Sequence, residues 1–195
     1  MTLPFSQSCE NNKDPILNIL KQYFDKPGAV LEIGGGTGQH AEYFAQHMPW
    51  LKWQSSDVPS NIDTLNLRLD AAGLAPALCL DVTDSPWPAI KVSYVFTANS
   101  LHIMPETAVI ELFKHLDSVL LPSARLCVYG PFKYKGEFTS DSNQAFDGWL
   151  KKRDPRSGIR DFELIERLAA EAGLAFTNDH SMPANNQFLS FTKEP

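Results

Sequence analysis

Residues 29–41 read AVLEIGGGTGQHA, a short apolar run followed at once by a segment in which four of five residues are glycine, Gly34–Gly38. An apolar run of strand length that stops at glycine is typical of a buried parallel strand. Glycine lets the backbone turn tightly and approach a ligand without a Cβ clash. The stretch therefore predicts a first strand, Ala29–Ile33, that enters a ligand-binding loop before a helix.

The same alternation of strand and helix continues on both sides of this loop. Strands are predicted at Leu51–Ser55, ending near Asp57, and at Ala77–Leu80, Val92–Ala98 and Arg125–Tyr129. Helices are predicted at Pro15–Phe24, Gln39–His47, Asn61–Ala72, Glu106–Leu121 and Phe162–Ala172. Alternating short strands and helices indicate parallel βαβ units with helices on both faces of a sheet.

The C-terminal third departs from this alternation twice. Residues 130–160 lack a clear period and are rich in Lys, Asp, Ser and aromatic residues, and a long segment of this kind is uncommon unless it is functional. Leu174–Met182 and Gln187–Thr192 flank the turn sequence PANN, which favours a hairpin. We therefore predict a Rossmann-like α/β fold with a seven-stranded, mostly parallel sheet, an antiparallel last strand and an insertion at 130–160.

The length, composition and charge of the chain limit the number of domains and the classes of partner. The chain has 195 residues, 43% hydrophobic and 21% charged, which fits one domain over 1–195 with an N-terminal helix segment at 1–27. The net charge of −6 disfavours nucleic acid and anionic lipid as partners. The sequence shows no signal-peptide pattern and no apolar run of membrane-spanning length. Three widely spaced cysteines, Cys9, Cys79 and Cys127, predict neither a metal site nor disulfides, so we expect a cytoplasmic protein.

Two adenosine cofactors are compatible with the glycine loop. Gly36–Ala41 matches the G-x-G-x-x-A pattern of dinucleotide binding, and Asp57 stands where a carboxylate accepts hydrogen bonds from ribose hydroxyls in either class. Glu32 favours S-adenosylmethionine, because a carboxylate just before the loop repels a pyrophosphate and attracts a methionine ammonium, directly or through water. Tyr129 and Lys133 also match the Y-x-x-x-K pair of short-chain dehydrogenases, but Gly130-Pro131 between them breaks the helix that this pair needs.

Asp81, at the end of the third predicted strand, fits as an acceptor for the adenine amino group, with Val82 as an apolar wall. The series Glu32-x-Gly34-x-Gly36-x-Gly38, Asp57 and Asp81 resembles the class I S-adenosylmethionine-dependent methyltransferases. Their closing hairpin is also like the one predicted here.

A narrower resemblance covers nearly the whole chain. The stretches that carry it include CENNKDPIL at 9–17, SLHI at 100–103, YGPF at 129–132, GIRD at 158–161 and MPANN at 182–186. The sequence is similar in these to the family of methyltransferase-like protein 26, which implies a class I methyltransferase fold and S-adenosylmethionine binding, with no settled substrate. Asn11 stands where the resembling pattern usually has Arg.

The residues that bind the methyl acceptor are predicted only from their positions at the ends of strands. Ligands bind at the carboxyl ends of strands in open α/β sheets, so Asn99 and His102 after the fourth strand, and Tyr129 at the end of the fifth, are predicted to face a small-molecule methyl acceptor. Asn99 is also predicted to contact the cofactor, because residues after the fourth strand face the sulfonium as well as the acceptor. The insertion at 130–160 is predicted to cover this site as a lid. Two alternatives stay open at this point: a non-catalytic S-adenosylmethionine-binding sensor or scaffold, and a nicotinamide-dependent oxidoreductase.

Overall fold

The computed structural model describes residues 2–194. Its helices are α1 (Gln7–Tyr23), α2 (Gln39–His47), α3 (Pro59–Ala71), α4 (Glu106–Val119), α5 (Asp141–Arg153) and α6 (Phe162–Glu171). Its strands are β1 (Gly28–Ile33), β2 (Leu51–Asp57), β3 (Leu78–Cys79), β4 (Val92–Ala98), β5 (Leu120–Gly130), β6 (Phe132–Tyr134), β7 (Glu137–Phe138), β8 (Arg160–Asp161), β9 (Leu174–Met182) and β10 (Asn186–Lys193).

Seven strands form the main sheet in the order β3-β2-β1-β4-β5-β10-β9. The first five run parallel, and β10 pairs antiparallel with both β5 and β9. The predicted fold is confirmed, including the hairpin at the end of the chain. The order reverses beside β1, so the carboxyl ends of β1 and β4 meet at the crevice where open α/β sheets hold ligands.

Two buried clusters lie in the two faces of the sheet. Alternate residues of a strand point to opposite faces. Val30 therefore packs with Phe44, Trp53 and residues of α1–α3, and Leu31 packs with residues of α4 and α6. Helices thus cover both faces, and the site described below lies along the edge between them.

Three predicted helix boundaries are wrong by two residues or more, and one of them is the start of α3, at Pro59 rather than Asn61. The first helix begins at Gln7 rather than Pro15, because Ser6 is extended and its side chain accepts a hydrogen bond from the backbone N–H of Cys9, so Pro15 lies inside the helix. Helix α4 ends at Val119 rather than Leu121. Leu120 is already extended and pairs with Val92, so the strand β5 starts there and includes Pro122.

The insertion is ordered and has its own secondary structure. Strands β7, β6 and β8 form a small three-stranded sheet, and α5 lies between β7 and β8 in sequence. Ser140 caps α5 by accepting a hydrogen bond from the N–H of Asn143. The Asn143 amide also donates to the carbonyl of Asn185 at 2.9 Å, which joins the insertion to the turn between β9 and β10. Asn185 has φ +57°, in keeping with its place in that turn.

Candidate cofactor and acceptor site

The glycine loop follows β1 and leads into α2. Gly34, Gly36 and Gly38 all have positive φ, at +76°, +56° and +75°. A Cβ on Gly34 would lie 2.5 Å from Oγ of Ser100 in the segment after β4, whereas a Cβ on Gly36 would meet no atom within 4 Å. Gly34 is therefore needed for close packing of two loops. Gly36 borders open space, which is the arrangement expected where a ligand approaches the backbone.

This difference yields a stability prediction. Gly34→Ala combines an unfavourable left-handed φ with a contact that Ser100 must relieve, so we expect it to lower the free energy of unfolding by about 3 kcal/mol. Gly36→Ala carries the φ cost alone, about 1 kcal/mol, and serves as the matched control. Urea unfolding followed by circular dichroism measures both variants. Equal losses would contradict the tight contact at Ser100.

Asp57, at the end of β2, is buried and lies beside the loop. Its Oδ2 accepts a hydrogen bond from the N–H of Gly36 at 2.7 Å, and its Oδ1 accepts from Val58 N at 2.8 Å and Asn61 Nδ2 at 2.9 Å. A carboxylate oxygen has two lone pairs, so Oδ2 retains one acceptor position. Asp57 thus both holds the loop and keeps the capacity to bind a hydroxyl group.

Glu32 lies beneath the loop rather than on its open side. Its Oε2 accepts hydrogen bonds from Ser55 Oγ at 2.6 Å and Trp53 Nε1 at 3.1 Å. Burial raises the pKa of the Glu32 carboxyl, and the hydrogen bonds from Ser55 and Trp53 act in the opposite direction. Only 2% of Glu32 is exposed, so little of its surface is left for a direct contact with a methionine ammonium. The predicted contact between Glu32 and the ammonium, directly or through water, stays a prediction.

Asp81 and Val82 follow β3. The Oδ1 of Asp81 accepts from the N–H of Thr83 at 3.0 Å and from its hydroxyl at 2.7 Å, while Oδ2 has no hydrogen-bond partner among residues 2–194. Val82 is buried beside Leu80 in the cluster on the α4 side of the sheet. The arrangement leaves one carboxylate oxygen without a partner among these residues, and the predicted contact of Asp81 with an adenine amino group stays a prediction.

Helix α1 and the segment before it lie against the glycine loop. The N–H of Ser6 donates to Oε1 of Gln39, and the nearby side chains of Ser6 and Thr37 act to lower the pKa of the Cys9 thiol, which burial raises. Arg68 of α3 donates from Nε to the carbonyl of Thr37 at 2.9 Å, and it also binds the carbonyl of Pro4. The N-terminal segment therefore borders the loop that faces a cofactor.

Asn99 and His102 lie in the segment between β4 and α4. Asn99 has φ +56°, and its N–H donates to the carbonyl of Tyr129 at 2.8 Å, which joins the ends of β4 and β5. A Cβ on Gly130 would lie 3.7 Å from Nδ1 of His102 and 3.9 Å from Oδ1 of Asn99, so both polar side chains face the end of β5. The structure brings these two predicted residues together.

The ring of His102 has an unusual environment. Neither ring nitrogen has a hydrogen-bond partner within residues 2–194. Every fully buried side-chain nitrogen or oxygen of these residues has a partner. The ring nitrogens of His102 are therefore in contact with solvent. The edge of Phe146 lies against the ring, with centroids 5.3 Å apart. Burial, with a smaller contribution from the nearby Arg160 charge, lowers the pKa of His102 to about 4. His102 is therefore neutral at pH 7, with a nitrogen free to bind a proton.

Tyr129 points away from His102, into the cluster between the sheet and α1. It is 3% exposed, and the nearby side chains of Asn12 and Asn186 act to lower the pKa of its hydroxyl. Burial raises the pKa of this hydroxyl. Tyr129 and Lys133 lie on β5 and β6 rather than one helical turn apart, so they do not form a dehydrogenase pair. A role for Tyr129 toward the acceptor stays a prediction.

Two polar groups near the site are not evident from sequence. His40 is buried, its Nε2 lies 2.7 Å from Oδ1 of Asn12, and burial lowers its pKa to about 4. Arg160, which the sequence offers only as one letter of GIRD, is buried against the His102 segment. Sequence carries no signal for either contact, because a buried arginine and a surface arginine look the same in a sequence.

The residues present fit an adenosine cofactor that brings no pyrophosphate to the loop. Gly36 leaves space, Asp57 offers one acceptor position for a ribose hydroxyl, and Asp81 offers another. A pyrophosphate would sit on a loop that is supported by the buried carboxyl of Glu32, while the guanidinium of Arg68 beside the loop is already bonded to the carbonyls of Thr37 and Pro4. Within residues 2–194, no cluster of three His, Cys, Asp or Glu side chains is arranged to hold a metal ion, and no helix is long and apolar enough to cross a membrane.

Comparison with known families gives a match along almost the entire chain. The model described as "Protein of unknown function (DUF938)" matches residues 3–193. The chain belongs to the DUF938 family. The family description carries no activity, so the chemistry of the DUF938 chain has to be argued from its own residues.

Solved structures similar to the DUF938 chain include methyltransferases. An O-methyltransferase family protein from Burkholderia thailandensis superposes with a TM-score of 0.83 at 16% identity, over 96% of this chain and 57% of that one. Human N-acetylserotonin methyltransferase in complex with S-adenosylmethionine gives 0.80 at 17% identity, over 97% and 53%. At these identities the likeness establishes the fold. The DUF938 chain spans a little over half the length of these structures.

Proposed function

We propose that the protein is an S-adenosylmethionine-dependent methyltransferase that acts on a small molecule. The observation that carries the proposal is the pairing, at one sheet edge, of an open glycine loop held by Asp57 with a neutral His102 whose ring nitrogens have no protein partner. The sequence resemblance to the family of methyltransferase-like protein 26 supports the same activity.

The cofactor side of the site is proposed as follows. Gly34, Gly36 and Gly38 shape the loop, Asp57 binds the ribose hydroxyls, and Asp81 and Val82 hold the adenine. Glu32 fixes the loop from below through Ser55 and Trp53. The presence of S-adenosylmethionine in the complex of human N-acetylserotonin methyltransferase supports this cofactor by likeness of fold.

The bound cofactor supplies a methyl group on a sulfonium, a leaving group that is already activated. The protein then has to orient the acceptor and, for an oxygen acceptor, remove a proton. His102 is suited to the second task because it is neutral and its ring nitrogens are free. Asn99 is suited to the first, since its Oδ1 and the Nδ1 of His102 face the same end of β5.

Hydroxyl-bearing acceptors receive support from the printed descriptions of the similar structures. One is a mitomycin 7-O-methyltransferase, at a TM-score of 0.75 and 17% identity, and another is an O-methyltransferase family 2 protein in complex with apigenin, at 0.79 and 15% identity. Those acceptors belong to those proteins. They make small organic hydroxyl compounds the first class to screen here.

Calorimetric titration with S-adenosylmethionine, S-adenosylhomocysteine and NADH tests the proposal. We expect saturable binding of the first two and none of NADH, because Glu32 disfavours a pyrophosphate on the loop. Binding of NADH alone would overturn the assignment in favour of an oxidoreductase. Binding of the two sulfur compounds without S-adenosylhomocysteine formation from any hydroxyl, amine or thiol in a broad screen would instead support a sensor or scaffold protein.

A further inference from the structure

The segment that carries His102 is held by the insertion through four consecutive backbone carbonyls. Arg160 donates from Nε to the carbonyl of Leu101 at 3.1 Å and from Nη2 to that of Met104 at 2.6 Å. Between them, the N–H of Gly158 donates to the carbonyl of His102 at 2.9 Å, and Ser157 Oγ donates to that of Ile103 at 2.6 Å. Irregular backbone held at every carbonyl has little freedom to move.

Arg160 differs from the other donors because it brings a charge into this buried place. Its side chain is 8% exposed and makes its close hydrogen bonds to carbonyls, including that of Arg156 at 3.1 Å. The carboxylate nearest to it, Glu106 on α4, lies 3.8 Å away and is 58% exposed. Asp147 on α5 is engaged with the N–H of Ile159 and with Lys151. The two carboxylates whose charges act on the guanidinium are therefore Glu106, which is mostly exposed, and Asp147, which is already paired with Lys151.

The charge acts on the ring of His102. The positive charge of Arg160 adds to burial in lowering the pKa of His102, while Glu106 and Asp147 act on Arg160 itself. The same positive charge stabilises a negative charge placed beside the His102 ring. A base of low pKa removes a proton effectively only from a hydroxyl that ionises readily, and a nearby cation stabilises the anion that forms.

We propose that Arg160 is a positioning residue for His102 and that its charge makes the site selective for an acceptor oxygen that reacts as an anion, that is, a phenol or enol rather than an alkyl alcohol. This proposal rests on the methyltransferase function proposed above. In the step, the acceptor O–H proton passes to a ring nitrogen of His102. The acceptor oxygen forms a bond to the methyl carbon as the carbon–sulfur bond breaks, and the sulfur keeps the electron pair of that bond.

The test uses the full chain saturated with S-adenosylhomocysteine and 4-nitrophenol as the probe, because the visible absorption of its phenolate reports its ionisation. Arg160→Met removes the charge and keeps an apolar stem, and Arg160→Lys keeps the charge without the planar fork. Arg156→Met, which removes an exposed arginine four residues away, is the matched control. NMR titration of the imidazole resonances gives the pKa of His102 in each protein.

In the wild-type complex we expect 4-nitrophenol to bind with a lowered apparent pKa. Arg160→Met should abolish that lowering and raise the pKa of His102 by about half a unit or more, Arg160→Lys should retain most of both effects, and Arg156→Met should change neither. If Arg160→Met does not fold, the proposal stands on Arg160→Lys, which should weaken probe binding by about tenfold through loss of the bonds to Leu101 and Met104.

Each contrary result has a distinct meaning. Wild-type protein that binds S-adenosylhomocysteine but binds 4-nitrophenol with an unchanged pKa, or not at all, would overturn the acceptor class. An unchanged His102 pKa in Arg160→Met, or unchanged probe affinity in Arg160→Lys, would overturn the role of Arg160. Failure of the wild-type protein to bind S-adenosylhomocysteine would overturn the proposed function itself, before any variant is compared.

Discussion

Replacing Asp57 with alanine is expected to weaken binding of S-adenosylhomocysteine by about 100-fold or more. The variant loses the acceptor position proposed for a ribose hydroxyl. It also leaves the N–H groups of Gly36 and Val58 without their carboxylate partner, so the loop loses its fixed shape. Isothermal titration calorimetry measures the affinity, and a 100-fold loss corresponds to about 2.7 kcal/mol at 25 °C.

Asp81→Ala is the matched control, since it removes a carboxylate at the neighbouring strand end whose hydrogen bonds within residues 2–194 are to Thr83. We expect a loss of about tenfold there, because a single contact to the adenine is removed and the loop is untouched. Thermal unfolding without ligand separates loss of binding from loss of fold. An Asp57→Ala protein that folds and binds as tightly as wild type would disprove the placement of the ribose site.

The second large effect is expected at His102. His102→Gln keeps a polar side chain of similar length but removes the base, so methyl transfer to a phenolic acceptor should fall by about 10²–10⁴-fold, with binding of S-adenosylhomocysteine unchanged. Release of S-adenosylhomocysteine measures the rate. His47→Gln, on the exposed end of α2, is the control and should retain full activity.

The pH profile adds an independent check on His102. A pKa of about 4 means that its neutral form prevails at all pH values above about 5, so the rate should stay level from neutral pH downward until the pH approaches 4. A histidine with the ordinary pKa of about 6.5 would lose activity already between pH 7 and 6. Loss of activity in that higher range, or a His102→Gln variant with normal turnover, would remove His102 from the reaction.

The sheet and the cofactor end of the site were predictable because they depend on local patterns. Short apolar runs bounded by glycine, and an acidic residue at the end of a strand, appear directly in sequence. Helix α2 and strand β4 have the predicted limits, Gln39–His47 and Val92–Ala98. Since parallel strands end at one edge, the carboxylates of Asp57 and Asp81 had to lie near the glycine loop.

The rest depends on contacts between distant residues. The start of α1 was predicted at Pro15 because proline is common in the first turn of a helix. The true start is capped by Ser6, and the segment before it is held by a hydrogen bond from Arg68 to the carbonyl of Pro4, 64 residues apart in sequence. Helix α5 buries Asn143, Asp147 and Leu150, so it lacks the apolar period that marks most helices. The carbonyl contacts of Arg160 likewise arise only once the insertion folds onto the segment after β4.

The position of β10 has a consequence for the order in which the chain folds. This strand, Asn186–Lys193, lies between β5 and β9, so the main sheet is continuous only once β10 is in place. Phe188 of β10 stacks on Tyr23 of α1, which precedes it by 165 residues. A ribosome therefore has to synthesise everything between these two residues before helix α1 can complete its packing, and such long-range pairing makes folding slow.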